Sequence, residues 1–395
     1  MNKGGVVSNF EELGVEAGFV GKLAGKNITT PTEIQRLVVP QLLQGKSVLF
    51  RSATGTGKTF AYLLPALQRI TAESSAPYHG PALLVCAPTI ELCSQIKNEI
   101  DFLSAAALNT VLLLGSMNIN RQIDALKKNK PLAAVGNPGR LLLLAKMGKL
   151  KLGALSFLVL DEADRLAAND CREDMGALIE IITRSSNTLT AAACSATVSA
   201  KTRDDLSPLL ANAALLETDE QEILRGQIEH WAIFSESRRK TQTLLSFLAA
   251  VKPKKALVFT GRSYDAGKVC SALQHRHIAA AGLYSGMDKQ ERKRAIDRFR
   301  SGKETVLVSS DLAARGLDIA GISHVIALDV SESKDAYIHR AGRTARAGKR
   351  GIMASIGDEL EMRRLAALEK KLGIVIRPKE LYGGRICAPE EANSR

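Results

Sequence analysis

The sequence predicts an α/β fold with two parallel-sheet domains in tandem, joined by a short linker. Short apolar runs alternate with amphipathic, helix-like stretches along nearly the whole chain. The alternation pauses once, at the acidic and polar residues 217–222, and then resumes. The length of 395 residues also exceeds the roughly 150 residues expected of one domain.

The first half contains six apolar runs. Strands buried on both faces of a sheet read as continuous apolar runs, and strands that alternate with helices form parallel sheets. The runs predict strands at residues 47–50, 82–86, 110–114, 132–135, 156–160 and 189–194. The stretches between them predict helices at residues 59–70, 91–103, 121–128 and 171–183.

The second half repeats this pattern but not its sequence. Strands are predicted at residues 231–234, 256–259, 279–283, 305–308, 324–328 and 351–356, and helices at 238–250, 264–275, 288–300 and 358–372. We therefore place domains at residues 1–216 and 229–382. A linker at 217–228 joins them, and a short disordered tail follows at 383–395.

Composition limits the function classes. Hydrophobic residues make up 45% and charged residues 24%, as in ordinary globular proteins. The net charge of +13 fits either a solvated lysine-rich surface or a polyanionic partner. No apolar stretch approaches the ~18 residues of a membrane span, and the N-terminus lacks the apolar core of a signal peptide. The six cysteines form no Cys-x-x-Cys pair, so we expect reduced thiols. Together with the preceding observations, this predicts a cytoplasmic location and no membrane partner.

A glycine-rich turn lies between a predicted strand and helix. It reads Thr54-Gly55-Thr56-Gly57-Lys58-Thr59. Backbone N–H groups of such a turn surround phosphates, the lysine reaches the β and γ phosphates, and the hydroxyl after it binds Mg²⁺. The turn predicts a nucleotide site with ATP and Mg²⁺ as cofactors.

Two carboxylates follow the predicted strand at 156–160. Parallel sheets bind ligands at the carboxyl ends of their strands, where Asp161 can hold Mg²⁺, partly through water. Glu162 can orient or deprotonate the attacking water. Lys58, Thr59, Asp161 and Glu162 together predict an NTP hydrolase.

The sequence also limits which nucleobase the bound nucleotide can carry. Guanine recognition of the Ras type needs Asn-Lys-x-Asp, and Asn129-Lys130 is followed by Pro-Leu instead. Gln35 precedes the glycine-rich turn, and its amide can pair with both the donor and the acceptor of adenine.

With these motifs in place, the chain resembles the DEAD-box family of ATP-dependent RNA helicases in helicase superfamily 2. The resemblance covers residues from ~8 to ~378 and implies two RecA-like domains. It also implies RNA as partner and a monomer. The matching segments are Phe10, Pro31-Thr32-x-Ile34-Gln35, residues 52–59, Pro88-Thr89-Ile90-Glu91-Leu92, Asn137-Pro138-Gly139-Arg140, residues 161–164, Ser195-Ala196-Thr197, residues 258–260, residues 310–318 and residues 339–346.

The resemblance assigns roles to further residues. Phe10 joins Gln35 at the nucleotide, Ser195 and Thr197 couple hydrolysis to domain closure, and Asp318 contacts the ribose. His339, Arg343 and Arg346 belong to the catalytic motif of the second domain. RNA contacts are expected at Thr89, Gly139, Arg140, Arg262, Ser310 and Asp311.

Arginines in the second domain have a physical reason to be catalytic. An arginine supplied from another domain stabilises charge on the transferred phosphoryl group and raises rates by ~10³–10⁵. Arg343 and Arg346 are three residues apart, so they share a face if that segment is helical. The second half has no phosphate loop, so these arginines imply that the two domains close on ATP and RNA.

Several residues depart from the family pattern, yet none is Lys58, Glu162, Arg343 or Arg346. We expect intact ATP chemistry and RNA affinity below the family norm, because Ile90 replaces an arginine near the expected RNA path. The other departures are Asn27, Ile28, Ser116, Asn137, Tyr284 and Ala345.

Two alternatives stay open. The chain could be a slow ATP-gated RNA clamp or scaffold, which weakened RNA motifs would favour. It could also be a DNA-translocating motor of superfamily 2, against which Gln35 and residues 161–164 argue. The RNA target and any protein partner are left open by the sequence.

Overall fold

A computed structural model describes residues 9–51, 56–72, 78–185, 188–195, 198, 200–218, 224, 226–261, 263–284, 286–310, 319, 321–331, 333–345 and 350–390. The chain divides into two compact units, the first of which ends at Thr218.

The first unit contains a parallel sheet of seven strands. They are β1 (Val48–Arg51), β2 (Leu83–Cys86), β3 (Val111–Leu113), β4 (Ala133–Gly136), β5 (Phe157–Asp161), β6 (Thr190–Ser195) and β7 (Ala214–Glu217). Their spatial order is β3-β4-β2-β5-β6-β1-β7. Strands β1, β5 and β6 are therefore neighbours, and their carboxyl ends meet at one edge.

Nine helices are described in the first unit, mainly on the two faces of the sheet. They are α1 (Ala17–Gly25), α2 (Glu33–Leu43), α3 (Lys58–Ala72), α4 (Ile90–Ser104), α5 (Ile119–Asn129), α6 (Pro138–Lys146), α7 (Ala163–Leu166), α8 (Asn169–Ser185) and α9 (Ala200–Leu210). Side chains of β2 alternate between two cores: Leu83 and Val85 pack on one face, and Leu84 and Cys86 on the other. Burial on both faces explains why these strands read as continuous apolar runs.

The second unit repeats the architecture. Its sheet holds β8 (Ile228–Phe234), β9 (Ala256–Thr260), β10 (Ala280–Leu283), β11 (Val306–Ser310), β12 (His324–Ala327), β13 (Gly351–Gly357) and β14 (Ile376–Pro378), in the order β10-β11-β9-β12-β13-β8-β14. All its strand pairs are parallel. Its described α-helices are α10 (Lys240–Val251), α11 (Ser263–His275), α12 (Lys289–Arg300), α13 (Lys334–Ala341) and α14 (Glu359–Leu372).

The observed sheets confirm the predicted fold class. All twelve strands predicted from apolar runs are present. The sequence missed the edge strands β7 and β14, because edge strands are short and partly exposed and give little apolar signal. Glu217, placed in the linker by its charge, is the last residue of β7.

The predicted disordered tail is wrong at its start. Residues Glu380–Tyr382 (β15) and Arg385–Cys387 (β16) pair as an antiparallel hairpin. Gly383 and Gly384 have φ of +56° and +73°, which suits a tight turn. Leu381 and Ile386 pack against the core of the second unit, so the hairpin is fixed by apolar contact. Within the described residues, no helix is long and apolar enough to cross a membrane.

Candidate active site

Gly57 occupies the turn from β1 into α3. Its φ of +91° lies in the left-handed region that favours glycine. A Cβ at this position would lie 2.4 Å from Gln35 Nε2, so no larger residue fits without a shift. Gln35 Nε2 donates to Gly57 O at 3.0 Å, and Gln35 Oε1 accepts from Thr32 N–H at 2.9 Å. The Gln35 amide therefore ties the start of α2 to the phosphate-binding turn, and its bonds to the described residues use one N–H and one lone pair.

Lys58 and Thr59, the last two residues of the predicted phosphate loop, form the start of α3. Lys58 is the first residue of that helix, and Thr56, Lys58 and Thr59 are partly buried. A helix N-terminus presents unpaired N–H groups and positive potential, which suits an anion. The predicted ligands Thr54 and Gly55 lie outside the described residues.

Phe10 lies inside the first unit. It is 0% exposed and belongs to the same core as the buried residues of α2 and α3. Its effect on a nucleotide must therefore pass through the residues packed around it.

Asp161 ends β5 and is almost fully buried, with 5% exposure. The Tyr62 hydroxyl donates to Asp161 Oδ2 at 2.7 Å. The Cys194 thiol and the Glu162 N–H both donate to Asp161 Oδ1, at 2.9 Å each. The carboxylate is thus held by three donors from α3, β6 and its own chain neighbour.

The electrostatics of this cluster follow from burial. Burial raises the pKa of Asp161, whereas the Cys194 hydrogen bond, the Lys58 charge and the Tyr62 hydrogen bond oppose the rise. Burial and the Asp161 charge hold the pKa of Tyr62 well above its usual range, and a hydrogen bond from Thr59 opposes this. Burial, followed by the Asp161 charge, also raises the pKa of Cys194. Both donors therefore keep their protons at neutral pH.

Glu162 has an unusual backbone. Its φ and ψ are both +53°, which is the left-handed region and costs a non-glycine residue about 1–2 kcal/mol. Its side chain accepts a hydrogen bond from the Arg165 guanidinium at 2.8 Å, one turn along α7. The strained backbone turns the chain sharply at the end of β5, beside the predicted metal ligand.

Ser195 is the last residue of β6 and is 0% exposed. The sheet register places it opposite Arg51 of β1 and places Cys194 opposite Asp161 of β5. The structure therefore brings Ser195 to the same sheet edge as Asp161 and the phosphate loop. Thr197 lies outside the described residues.

In the second unit, Ser310 ends β11 and is 6% exposed. His339 lies on α13 and is partly buried. Arg343 is 9% exposed. The other predicted residues, Arg262, Asp311, Asp318 and Arg346, lie outside the described residues.

The condition for a shared helix face of the arginine pair is not met at Arg343. Helix α13 ends at Ala341, with Gly342 as its C-cap, so Arg343 follows the helix. Ala345 has φ +55°, a left-handed conformation that does not continue a helix. Glycine is the usual residue at such a position, so the departure at Ala345 falls where the backbone requires a positive φ.

Three predicted RNA contacts lie in the first unit: Thr89, Gly139 and Arg140. Thr89 caps α4, with its hydroxyl accepting from Leu92 N–H at 3.2 Å. Arg140 donates to Gly115 O at 2.9 Å and to Met117 O at 3.1 Å. Asn137 Oδ1 accepts from Gly115 N–H at 3.2 Å. The first turn of α6 thus holds the loop after β3.

Gly139, on the same turn of α6, has no room for a side chain. A Cβ there would lie 2.7 Å from Asp174 Oδ2 on α8. The glycine lets the backbone of α6 approach the Asp174 carboxylate on α8 closely.

Comparison with known proteins agrees with this geometry. The DEAD/DEAH box helicase family matches residues 32–206, and the helicase conserved C-terminal domain matches residues 239–348. The DEAD-box ATP-dependent RNA helicase CshC of Bacillus cereus is 36% identical over 354 residues, covering 89% of this chain and 88% of that protein. The chain belongs to the DEAD/DEAH box helicase family.

Other relatives of this DEAD/DEAH box helicase support the assignment. YfmL of Bacillus subtilis is 35% identical over 357 residues, covering 90% of this chain and 92% of that protein. The S. cerevisiae Dbp5 structure bound to RNA and ADP BeF3 has a TM-score of 0.83 and 25% identity, and covers 95% of this chain and 96% of that one. The fold is also similar to Mss116p bound to ssRNA and AMP-PNP, with a TM-score of 0.85, 24% identity and coverage of 100% and 82%.

Sequence reasoning missed several residues of this helicase site. Tyr62 and Cys194 contact Asp161, and Arg165 contacts Glu162. A signal existed for the first two. Tyr62 lies one helical turn after Lys58, and Cys194 is near the carboxyl end of a strand, where parallel sheets build their sites.

Proposed function

We propose that this DEAD/DEAH box helicase is an RNA-dependent ATPase that binds the RNA backbone without sequence preference and locally unwinds or remodels short duplexes or RNA–protein complexes. ATP hydrolysis is coupled to this work by closure of the two domains. The observation that carries the proposal is the set of Lys58, Thr59, Asp161 and Glu162 after β1 and at the end of β5, the two strands that flank β6. The name of the relative CshC and the nucleotide and RNA in the Dbp5 structure support it.

The first unit supplies the ATP site. Thr54 to Thr59 cradle the phosphates, with Lys58 neutralising their charge. Gln35 has one N–H and one lone pair to offer adenine, and Phe10 supports that segment from the core. Glu162 accepts a proton from the attacking water, which the carboxylate can do because it lies beside the metal ligand Asp161.

The donor set fits Mg²⁺, which prefers oxygen ligands and keeps several waters. The Asp161 carboxylate and the Thr59 hydroxyl would hold it, since both are oxygen donors and both lie beside Tyr62. Mg²⁺ would neutralise charge on the phosphate oxygens when bound.

The second unit supplies the groups that respond to closure. Arg343 and Arg346 stabilise charge on the γ phosphate, and His339 orients this segment. Asp318 binds the ribose. Ser195 ends β6, one strand away from Asp161, and together with Thr197 it couples the state of the nucleotide to domain closure.

The protein binds the sugar-phosphate backbone of RNA, and such contacts give affinity without sequence specificity. Thr89, Gly139 and Arg140 act from the first unit, with Arg262, Ser310 and Asp311 from the second. Arg140 also fixes the loop after β3, so its substitution would loosen that loop. Two domains joined by a short linker, a monomeric state and a cytoplasmic location complete the proposal.

The test is steady-state ATP hydrolysis with no nucleic acid, with single-stranded RNA and with DNA of equal length. RNA should stimulate hydrolysis strongly and DNA should not, because 2′-hydroxyl contacts distinguish the two. Glu162→Gln should lower the stimulated rate by about 10²–10⁴-fold, since it removes a general base.

Glu173→Gln is the matched control, because it makes the same change at an exposed position of α8. It should hydrolyse ATP as the unmodified chain does. Basal hydrolysis that ignores RNA would favour the clamp or scaffold, and equal stimulation by DNA would favour a DNA motor.

A further inference from the structure

The Asp161 carboxylate has little freedom left. An ionised carboxylate offers about four acceptor sites. Cys194 and the Glu162 N–H use both sites on Oδ1, and Tyr62 uses one on Oδ2. Among the described residues no donor uses the last site on Oδ2, so the two side-chain donors decide in which direction Asp161 can accept a further bond.

The two donors come from rigid and separate elements. Tyr62 lies on α3, one turn after Lys58, and Cys194 lies on β6 opposite Asp161 in the sheet register. Both side chains are 0% exposed. A phenylalanine would fill almost the same space as Tyr62, so the hydroxyl is the part of that side chain that acts on the carboxylate.

Tyr62 also faces the other predicted metal ligand. The Thr59 side chain lies close enough to the Tyr62 hydroxyl to lower its pKa, and that hydroxyl donates to Asp161. Tyr62 therefore lies beside both of the oxygen donors that would hold Mg²⁺. Partners that orient metal ligands in this way typically contribute about 10–100-fold to metal affinity.

We propose that Tyr62 and Cys194 are positioning residues for the metal that accompanies ATP: together they hold Asp161 in the rotamer that receives it. This inference rests on the proposed ATPase function. Neither Tyr62 nor Cys194 is a proposed nucleotide ligand. Substitution of either residue should therefore weaken metal binding without weakening the binding of metal-free nucleotide.

The experiment measures Mn²⁺, a spectroscopic substitute for Mg²⁺, by electron paramagnetic resonance on the full chain with ADP. Fluorescent ADP titrated in EDTA gives the metal-free affinity, and melting temperature monitors folding. Tyr62→Phe should weaken Mn²⁺ binding about tenfold or more, and Cys194→Ala about threefold, with metal-free ADP affinity within about twofold of the unmodified chain.

Conservative and matched variants separate positioning from packing. Cys194→Ser keeps a donor and should restore most of the Mn²⁺ affinity that Cys194→Ala loses. Cys86→Ala removes an equally buried thiol whose partner is Met175, and Tyr337→Phe removes a buried hydroxyl of the second unit that bonds His230. Both controls should leave Mn²⁺ binding unchanged.

Unchanged Mn²⁺ affinity in folded Tyr62→Phe and Cys194→Ala would overturn the inference, and so would an equal loss of metal-free ADP binding. If Tyr62→Phe does not fold, the contrast between Cys194→Ala and Cys194→Ser decides. An unmodified chain that binds neither ADP nor Mn²⁺ would instead overturn the proposed function, and this inference with it.

Discussion

Gly57 shows how much one backbone position contributes to the nucleotide site. Its left-handed φ turns the chain from β1 into α3, and its missing side chain lets the Gln35 amide approach its carbonyl. The sequence predicts a glycine-rich phosphate loop here. The contact with Gln35 could not be predicted, because it joins residues that are 22 positions apart through a tertiary approach.

Replacing this glycine should therefore damage both folding and binding. Gly57→Ala would place a Cβ 2.4 Å from Gln35 Nε2 in a backbone conformation that alanine disfavours. We expect the free energy of unfolding to fall by about 1–3 kcal/mol, with a clear loss of ADP affinity. Circular dichroism melting and ADP titration measure the two effects.

Gly21→Ala is the control for that substitution. Gly21 lies inside α1, where an added Cβ meets nothing within 4 Å. Alanine is the better helix former, so the variant should be more stable by about 0.5–1 kcal/mol and bind ADP normally. If Gly57→Ala matched Gly21→Ala in both measurements, the close approach of Gln35 would have no energetic importance.

Buried donors are the main residue-scale feature that the sequence hides. Asp161 could be placed, because a carboxylate after an apolar strand is a strong signal. Tyr62 and Cys194 read as ordinary core residues, since their apolar neighbours dominate the pattern. Their hydrogen bonds depend on the register of β5 and β6 and on the rotation of α3, which a single sequence does not specify.

At the scale of elements, apolar runs predicted the central strands well because both faces of each sheet are buried. Where burial is partial the signal fails, as at β7, β14 and the hairpin of β15 and β16. Helix α13 itself was not predicted. The left-handed Ala345 that follows it is a buried residue of the second unit's core.

His230 connects three parts of the second unit. Its Nδ1 lies 2.8 Å from the Tyr337 hydroxyl on α13, and its Nε2 lies 2.8 Å from Leu224 O before β8. Because a carbonyl only accepts, Nε2 must carry the proton, and a neutral ring then accepts from Tyr337. The neutral form of His230 therefore satisfies all of its hydrogen bonds.

This arrangement predicts a loss of stability in acid. Burial lowers the pKa of His230, while the hydrogen bond to Leu224 opposes the shift. The unfolded chain titrates near about 6.5, so it binds more protons than the folded chain as pH falls below that value. The free energy of unfolding should therefore decrease as the pH falls through about 6.5 and below.

Trp231 is the single tryptophan of the chain and lies in β8, so its fluorescence reports urea unfolding of the second unit. His230→Gln should flatten the pH dependence, although burial of His324 lowers the pKa of that residue too and leaves a remainder. Tyr337→Phe keeps the imidazole and should keep the slope. A slope unchanged by His230→Gln would show that another group controls the acid sensitivity.

On the scale of the whole molecule, charge and RNA binding are connected. The net charge of +13 suits a polyanionic partner, and backbone contacts to RNA release bound cations, so affinity falls as salt rises. The two sheets and their order could be predicted only as a class, because strand pairing between distant segments is decided by tertiary contacts. The family resemblance supplied what pattern alone could not: which strand ends carry chemistry.

Ile90 provides the clearest test of the RNA track. It is 37% exposed, it is the first residue of α4, and it follows Thr89. Ile90→Arg should tighten binding of single-stranded RNA severalfold and steepen the slope of log affinity against log salt by about 0.7, the value for one added phosphate contact. Met147→Arg is the control. It adds the same charge at the C-cap of α6, the end of that helix away from Gly139 and Arg140, at a 45% exposed position. Fluorescence anisotropy at several salt concentrations compares the two. Equal slopes for both variants would mean that Ile90 lies off the RNA path and that its side chain does not limit RNA affinity.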